Sequence, residues 1–334
     1  MREHPEDIAG VGDERLVGRT ALVTGSTSGI GRETALTLGR LGAHVIVHGR
    51  DADAGGEVVD AVEDGVNEGT AEFVRADFAD PEEVSRLADR TRTAAGDGGL
   101  DLLINNAGGY FREGRLTDLG VEYTFHVNHL APYQLTAALL DDLAEDARVV
   151  TTASEAHRGD QVDLEAVRSV DGYSSWRAYQ RSKLANVQFA AELGRRLDER
   201  DDRSVTSNSF HPGAIPGSGF LRDLPGPLSR VAGALDRLPF VTSPPEGAAT
   251  AVYLAVAPEV ADVTGRYYAD LRPKQPSTAA RDRHAQRRLW ETSAELLGID
   301  EPLAGDGSGT EEGRPEAGGV ADADATAVGD EPAE

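Results

Sequence analysis

The sequence predicts one α/β domain built on a doubly wound parallel sheet of about seven strands, with helices on both faces of the sheet. Two observations lead to this prediction. Short apolar segments with strand character alternate along the chain with longer segments of helical period. In addition, the first strand runs through a glycine-rich turn directly into a helix, in ALVTGSTSGIGRETA at residues 21–35. Sheets of this kind bind ligands at the carboxyl ends of their strands.

The strands, helices and domain limits are predicted as follows. Seven segments are candidate strands: Thr20–Thr24, His44–His48, Glu72–Ala76, Leu100–Asn105, Arg148–Thr152, Ser204–Phe210 and Thr264–Tyr268. The clearest helical segments are Asp80–Ala95, Leu116–Asp141 and Tyr179–Asp198. The domain is expected over residues 15–302, between an N-terminal extension (1–14) and an acidic tail (303–334). The tail is rich in Gly, Ala, Asp and Glu and is predicted to be disordered, because it has little apolar surface to bury.

The composition limits the classes of partner and location. The net charge is −25, and residues 301–334 contribute −9 of it (ten acidic residues and one arginine), so residues 1–300 carry −16. This charge argues against general affinity for nucleic acid or anionic membranes. No window contains the roughly 20 apolar residues of a membrane span, and the start MREHPEDIAG lacks a signal-peptide pattern. We therefore expect a cytoplasmic protein, with a homo-oligomer left open.

Lysine and cysteine are the unusual residue types. Lys183 and Lys274 are the only lysines among 33 basic residues, and cysteine is absent. The absence of cysteine excludes disulfides, thiol catalysis and Cys-ligated metals. An acidic, lysine-poor surface is typical of proteins that work in concentrated salt. A GC-rich genome would also favour arginine, so both explanations stay open.

The glycine-rich turn is the first candidate binding element. Gly25, Gly29 and Gly31 follow a TGxxxGIG spacing between strand and helix. Gly25 permits a sharp exit from the strand, and the helix N-terminus near Gly29 attracts phosphate. Gly31 lets the helix lie close to the strand. The alternative is an ordinary βα turn without a ligand, but the flanking strand and helix favour dinucleotide binding.

Later strand ends extend this candidate site. The second strand ends in HGRDAD, where Arg50 suits the 2′-phosphate of NADP(H), whereas NAD sites place a carboxylate here. The alternative is a surface pair of Arg50 with Asp51 or Asp53. Asp77 follows the third strand, and NNAGG (105–109) follows the fourth. Together these residues trace a path for an extended nucleotide, with NADP(H) preferred and NAD(H) left open.

Tyr179 and Lys183 are the candidate catalytic pair. They are four residues apart on a predicted helix and therefore share one face. A phenol titrates near 10, and a neighbouring ammonium favours the phenolate and brings the pKa toward the working range. Taken alone, such a pair is more often an ordinary surface pair.

The motifs together resemble those of the short-chain dehydrogenases/reductases, over residues 15 to about 300. The order TGSTSGIG, Asp77, NNAG, Asn128, Ser154, YQRSK and HPG is that family's order. TTASEAHR, YQRSKLANV, SPPEGAATAVY and RLWETSAELLGI are similar to its retinol-dehydrogenase-like branch. The resemblance implies a Rossmann fold and an oxidoreductase acting on a ketone, aldehyde or secondary alcohol.

The resemblance also implies a role for individual residues. Tyr179 would be the proton donor during reduction, Ser154 a hydrogen-bond partner of the substrate oxygen, and Lys183 the group that lowers the pKa of the phenol and binds the nicotinamide ribose. Asn128 would hold a water that links Lys183 to solvent. The implied cofactor-binding residues are Gly25, Thr27, Ser28, Gly29, Ile30, Gly31, Arg50, Asp77, Phe78, Asn105, Ala107, Gly108, Tyr179, Lys183, Pro212, Gly213 and Ile215.

Two departures from the family pattern are visible. Ser154 and Tyr179 are 25 residues apart, about twice the usual spacing, although the retinol-dehydrogenase-like branch has an insertion here. Ser174 and Ser175 are therefore rivals for the hydroxyl role. After HPGAI the usual threonine is missing, and Ser218 is its candidate replacement. The proline-punctuated segment 220–241 is predicted to be a substrate lid.

Other patterns receive structural interpretations. His44 with His48, and His126 with His129, lack the further ligands of a zinc site, so surface or supporting roles are expected and no metal is predicted. The short basic run RDRHAQRR (281–288) favours pairing within the protein or a subunit contact over nucleic-acid binding. The rival function is a non-catalytic NADP(H)-binding regulator. A sugar-nucleotide epimerase is disfavoured because its glycine motif usually reads TGxxGxxG.

Overall fold

A single mostly parallel sheet organises the computed structural model, which describes residues 4–65, 69–159, 161–200, 204–213 and 242–304. In this part the strand order is β3-β2-β1-β4-β5-β6-β7-β8. The strands are β1 (Thr20–Val23), β2 (His44–Gly49), β3 (Thr70–Arg75), β4 (Leu100–Asn105), β5 (Leu143–Thr152), β6 (Thr206–Phe210), β7 (Tyr267–Ala269) and β8 (Arg272–Lys274). Strands β1 to β7 pair in parallel, and β8 pairs antiparallel with β7. The predicted doubly wound class is confirmed.

The eighth strand was not predicted. Its three residues, Arg272–Lys274, are exposed and include a proline, so they show no apolar alternation. They pair with β7 through a tight turn in which Asp270 and Leu271 have φ of 50° and 61°. Aspartate is tolerated in the left-handed region but leucine rarely adopts it, and no glycine or asparagine marks the turn, so the local sequence gives only a weak signal for this hairpin.

The helices cover both faces of the sheet. They are α1 (Pro5–Ala9), α2 (Gly29–Arg40), α3 (Ala52–Glu63), α4 (Pro81–Ala95), α5 (Tyr123–Phe125), α6 (Ala131–Leu139), α7 (Ser175–Asp198), α8 (Pro244–Val256) and α9 (Arg283–Leu297). A π-helical segment, His126–Leu130, joins α5 to α6. Short 3₁₀ turns lie at Gly96–Gly98, Leu140–Asp142, Glu155–Gly159, Ala166–Arg168, Pro258–Val260 and Ala279–Arg281. None of the helices in the described ranges is long and apolar enough to cross a membrane.

The predicted helix Leu116–Asp141 was too long at its start. Gly120 has φ of +68°, and an isolated antiparallel bridge joins Leu116 to Glu122. The helix begins at Tyr123, where the Glu122 carboxylate accepts hydrogen bonds from the backbone N–H groups of Thr124 and Phe125. A buried acidic cap therefore sets the helix start, not the apolar period.

The core has two layers because the central strands are buried on both faces. In β1, Leu22 packs into one layer, whereas Ala21 and Val23 pack into the other. The first layer includes Leu103, Leu135, Phe189 and Trp290. The second includes Leu38, Val45, Val58 and Val252. This sandwich fixes the carboxyl edge of the sheet, where the candidate site residues collect.

The N-terminal residues are part of this packing. Ala9 and Val11 are buried in the second layer, and the carboxylate of Glu6 accepts two hydrogen bonds from Arg40 of α2, at 2.6 and 2.8 Å. The chain's contacts group residues 1–303 into one unit. Residues 305–334, which form most of the predicted acidic tail, lie outside the described ranges.

Candidate active site

The glycine-rich turn packs against the exit of β4. Gly25 has φ of +65°, and a Cβ there would lie 2.8 Å from the Cα of Ala107. A Cβ on Gly31 would collide with Asn106 Nδ2 and with the carbonyl oxygen of Gly25. Both positions therefore require glycine, one for its conformation and one for the close approach of α2 to the turn. Gly25 and Gly31 thus have the local roles predicted for them, whereas Asn106, whose Nδ2 donates to Thr24 O at 2.9 Å, was not among the predicted cofactor-binding residues.

The N-terminus of α2 fits a phosphate group. Helix α2 begins at Gly29, directly after the turn that contains Thr27 and Ser28. A Cβ on Gly29 would meet no atom within 4 Å, so open space lies beside this helix end. The first backbone N–H groups of a helix lack intrahelical partners and attract anions. The residues present therefore fit the pyrophosphate of a dinucleotide.

His48 ties the glycine turn to the next strand end. Its Nδ1 accepts a hydrogen bond from Gly25 N at 3.1 Å, so Nε2 carries the proton and donates to Ala76 O at 3.2 Å. The ring stacks on Phe78, with centroids 4.6 Å apart. Burial lowers the pKa of His48 to about 4 and keeps it neutral. A supporting role was expected for this histidine, but sequence alone could not name its partners.

Arg50 and Asp77 meet at the ends of neighbouring strands. Their Nη1 and Oδ2 atoms are 3.7 Å apart. The alternative partner Asp51 instead caps α3, where its carboxylate accepts from the backbone of Asp53 and Ala54. Two predicted cofactor residues are thus adjacent at the edge where β2 and β3 end.

The residues after β4 separate into two groups. The Asn105 side chain turns into the protein, where Nδ2 donates to Thr136 Oγ1 of α6 at 3.0 Å. Ala107 faces the glycine turn, as described above. At Gly108, a Cβ would lie 2.9 Å from Asn128 Oδ1 and 3.5 Å from Lys183 Nζ. The NNAGG segment therefore connects the glycine turn to the predicted catalytic residues.

Ser154, Tyr179 and Lys183 come together where β5 ends. Ser154 lies two residues beyond β5 and hydrogen-bonds to Tyr179. Lys183 Nζ lies 5.8 Å from the centroid of the Tyr179 ring and donates to Thr152 O at 3.1 Å. The rival serines are engaged elsewhere: Ser174 caps α7, and Ser175 Oγ lies 2.6 Å from Tyr110 OH. The structure therefore brings Ser154 to the tyrosine across the long insertion.

Burial shifts both titrating groups of the site. It lowers the pKa of Lys183 to about 8, because the ammonium is removed from water. It raises the pKa of Tyr179 above the ordinary value of a phenol, and the Ser154 hydrogen bond opposes this rise. The expected lowering of the Tyr179 pKa by Lys183 is therefore not found in the protein alone, since desolvation outweighs other effects on the phenol.

Asn128 lies in the π-helical segment with its side chain fully engaged. Its Oδ1 accepts from Gly109 N at 2.8 Å, and its Nδ2 donates to Gly109 O at 2.9 Å and to Ser182 Oγ at 3.0 Å. Ser182 in turn donates to Tyr179 O at 2.8 Å. Because Ser182 belongs to α7, the Asn128 side chain ties the NNAGG segment to the helix of Tyr179 and Lys183.

The other histidines predicted to lack metal-binding roles have hydrogen-bond partners. His44 Nδ1 lies 2.8 Å from Thr70 Oγ1, and His126 Nδ1 lies 2.8 Å from Thr117 Oγ1. His129 Nε2 lies 2.9 Å from Ser293 Oγ in the interior. In the described part of the chain, no three His, Asp or Glu residues are grouped to hold a metal.

The HPG segment continues from β6 at the same edge of the sheet. His211 Nδ1 lies 2.6 Å from Tyr267 OH, Pro212 follows it, and Gly213 has φ of +83°. Ile215, Ser218 and the predicted lid 220–241 lie outside the described residues.

The fold and the glycine-rich turn define a class: a dinucleotide-binding α/β protein with a doubly wound sheet. A family model described as short chain dehydrogenase matches residues 19–224. The chain belongs to the short-chain dehydrogenase family, in its retinol-dehydrogenase-like branch. It is an oxidoreductase acting on alcohol or carbonyl substrates.

Three relatives illustrate the match. Mouse polyprenol dehydrogenase is 40% identical over 287 residues, which cover 84% of each chain. Human retinol dehydrogenase 13 is 35% identical over 303 residues, covering 86% of this chain and 87% of the relative. A short-chain dehydrogenase from Burkholderia cenocepacia, solved in complex with NADP, superposes with a TM-score of 0.60 at 29% identity, covering 76% of this chain and 96% of that one.

Proposed function

We propose that this chain is an NADP(H)-dependent oxidoreductase that interconverts a carbonyl compound and its alcohol, with Tyr179 as general acid and base. The observation that carries the proposal is the hydrogen bond between Ser154 and Tyr179 beside the buried Lys183. A bound nicotinamide supplies the hydride to the carbonyl carbon during reduction and accepts it during oxidation.

The raised pKa of Tyr179 suits the reducing direction. A phenol that remains protonated at neutral pH can donate its proton to the substrate oxygen as the new C–H bond forms. The Ser154 hydroxyl donates a second hydrogen bond to the same oxygen and stabilises the charge that develops there. In the oxidising direction the same proton returns to Tyr179.

Lys183 and Asn128 supply a route for replacing that proton. With a pKa of about 8, Lys183 exchanges a proton near neutral pH more readily than an exposed lysine. Its Nζ lies near Gly108, whose other neighbour is Asn128. We assign Asn128 to the water that completes this relay, because its side chain and the Lys183 ammonium both lie beside Gly108.

Residues along the carboxyl edge of the sheet would hold the cofactor. The N-terminus of α2, with Thr27 and Ser28, suits the pyrophosphate. Arg50 suits the 2′-phosphate of NADP(H), and its side chain is 62% exposed beside Asp77. The solved Burkholderia relative is a complex with NADP, which supports this choice.

Aromatic rings around Tyr179 favour an apolar substrate. The Tyr110 ring lies edge-on to Tyr179 with centroids 5.8 Å apart, and Trp176 stacks at 6.3 Å. Trp176 is 45% exposed, so its ring offers an apolar surface beside the reacting phenol. Retinol and polyprenol, the alcohols in the names of two relatives, are apolar compounds of this kind.

A carbonyl panel with NADPH tests the proposal. We expect oxidation of NADPH with at least one apolar ketone or aldehyde, and a loss of about 10³-fold or more in kcat for Tyr179→Phe with NADPH binding retained. Lys183→Arg should be impaired as well, because a guanidinium is bulkier than an ammonium. Tyr253→Phe, which removes a phenolic hydroxyl from α8, is the matched control for Tyr179→Phe. Tight NADPH binding without turnover across the panel would support the non-catalytic alternative instead.

A further inference from the structure

The histidine of the TTASEAHR motif has no role in the chemistry proposed above, yet it contacts Ser154. His157 lies in the 3₁₀ turn Glu155–Gly159 that follows β5, and it is fully buried. Its Nδ1 lies 2.7 Å from the carbonyl oxygen of Ser154, which also accepts from the backbone N–H of His157 at 3.1 Å. The Ser154 carbonyl therefore has two contacts with His157, one to the ring and one to the backbone N–H.

The partners of His157 define one tautomer. Ser277 N donates to Nε2 at 3.2 Å, and a backbone N–H can only donate, so Nε2 has its lone pair there. The proton is therefore on Nδ1, where it faces the Ser154 carbonyl, which can only accept. Burial lowers the pKa of His157 and keeps the ring neutral. Both ring nitrogens are thus paired with backbone groups of two separate segments.

The segment that contains Ser277 is anchored to the helix of Tyr179. Ser277 Oγ accepts from Ala280 N at 3.2 Å and so starts the turn Ala279–Arg281. Gln188 of α7 donates from Nε2 to the carbonyl of Ala279 at 2.8 Å. Helix α7 also contains Tyr179 and Lys183. Through His157 and Ser277, the position of Ser154 is therefore linked to the same helix that presents the tyrosine.

We propose that His157 is a positioning residue that holds Ser154 against Tyr179 by linking the Ser154 carbonyl to the Ser277 segment and, through Gln188, to α7. The insertion in this chain separates Ser154 and Tyr179 by 25 residues in sequence, and the link through His157 holds the two residues together in space. The role rests on the proposed function of Ser154 and Tyr179. His157 is fully buried and both its ring nitrogens are bonded to backbone groups, so it acts through the Ser154 hydroxyl.

A pair of amide substitutions separates the two halves of the link. In His157→Asn, Nδ2 occupies the place of the ring Nδ1 and retains the bond to Ser154. In His157→Gln, the amide oxygen Oε1 takes the place of the ring Nε2 and accepts from Ser277 N, while the Ser154 carbonyl loses its side-chain donor. Because the link needs both ends, we expect each variant to lose about 10-fold or more in kcat, as for one lost hydrogen bond, whereas His284→Gln at an exposed position should retain kcat within about 3-fold. The Kd for NADPH, measured by fluorescence titration, should not change.

The pH profile distinguishes positioning from general structural damage. The Ser154 hydrogen bond lowers the pKa of Tyr179. Weakening of that bond in either His157 variant should therefore move the pKa that governs kcat upward by about half a unit or more, with no such movement in His284→Gln. A merely structural loss would lower kcat without moving this pKa.

A double-substitution cycle and a spectroscopic measurement complete the test. In a Ser154→Ala background, His157→Gln should cause no further loss of kcat, because its effect passes through the serine hydroxyl. Additive losses, or an unchanged kcat and pH profile in His157→Gln, would overturn the proposal. The ¹⁵N chemical shifts of the ring in the wild-type protein should show the Nδ1–H tautomer, and an Nε2–H tautomer would also overturn it. This readout needs no turnover, so it is independent of whether the proposed activity is found.

Discussion

Arg50 and Asp77 face each other across the ends of β2 and β3, with 3.7 Å between Nη1 and Oδ2. Both side chains are partly exposed, so the pair contributes little to stability. The pair does place the Arg50 guanidinium at the carboxyl edge of the sheet. The nearby Asp77 carboxylate partly offsets its positive charge. An incoming phosphate with two negative charges would compete with Asp77 for this guanidinium.

This arrangement predicts cofactor preference. Arg50→Ala should weaken NADPH binding by about 10- to 100-fold, as for a lost charged hydrogen bond, and leave NADH binding nearly unchanged. Arg90→Ala is the matched control, because Arg90 pairs with Glu72 at the same 3.7 Å and its side chain is 63% exposed. Fluorescence titration of both cofactors measures the effect. Equal losses for NADH and NADPH would assign Arg50 a surface role only.

Buried neutral histidines predict loss of stability in acid. Burial lowers the pKa of His48 and His126 to about 4 and of His129 to about 3. The unfolded chain therefore binds more protons than the folded chain below about pH 6.5, and stability falls as the pH falls. By pH 5 each such histidine costs about 2 kcal/mol, in a typical total of about 5–15 kcal/mol.

The measurement is urea unfolding from pH 7.5 to 5. His126→Asn retains a partner for Thr117 Oγ1 and removes one titrating group, so the dependence of unfolding free energy on pH should become shallower by up to about 1.4 kcal/mol per pH unit. His284→Gln, at an exposed position, should leave the slope unchanged. A wild-type stability that is flat across this range contradicts the prediction.

Two adjacent glycines of α3 predict opposite effects of the same substitution. A Cβ on Gly56 would meet no atom within 4 Å, whereas a Cβ on Gly55 would collide with the ring of Phe73. Gly56→Ala should therefore stabilise the protein by about 0.5–1 kcal/mol, because alanine favours the helix. Gly55→Ala should destabilise it by about 1–3 kcal/mol through overpacking. Thermal unfolding of the two variants tests both expectations. A gain in Tm for Gly55→Ala would contradict the second and show that the Phe73 ring moves aside.

The charge of residues 1–300 predicts a response to salt. With a net −16 in this part of the chain, repulsion among carboxylates opposes compaction. The Debye length shrinks from about 10 Å at 0.1 M to about 3 Å at 1 M salt, so molar KCl should raise the Tm.

A protein truncated after residue 303 should retain activity and a Tm within a few degrees. The Tm of this truncated protein from 0.1 to 3 M KCl tests the prediction, and a flat curve would leave genome composition as the explanation for the arginine bias.

Features that depend on neighbouring residues could be predicted from the sequence. The glycine turn and the α2 start follow from a strand, a TGxxxGIG spacing and a helical period within one short stretch. The placement of Tyr179 and Lys183 on one helix face follows from their four-residue spacing. Six of the seven predicted strands overlap the observed ones by at least four residues, and only the short β7 is displaced, because Gly265 has φ of +69° and interrupts its start.

Features that depend on distant residues were decided by the tertiary structure. The choice of Ser154 over Ser174 and Ser175 required the packing of β5 against α7. His48 and His157 became linking residues because burial left their ring nitrogens only backbone partners, which also fixed their tautomers. The pKa of Tyr179 rises because water is excluded from the phenol. Local spacing determines which residues share a face, but desolvation and long-range pairing arise only when the two core layers close around the sheet.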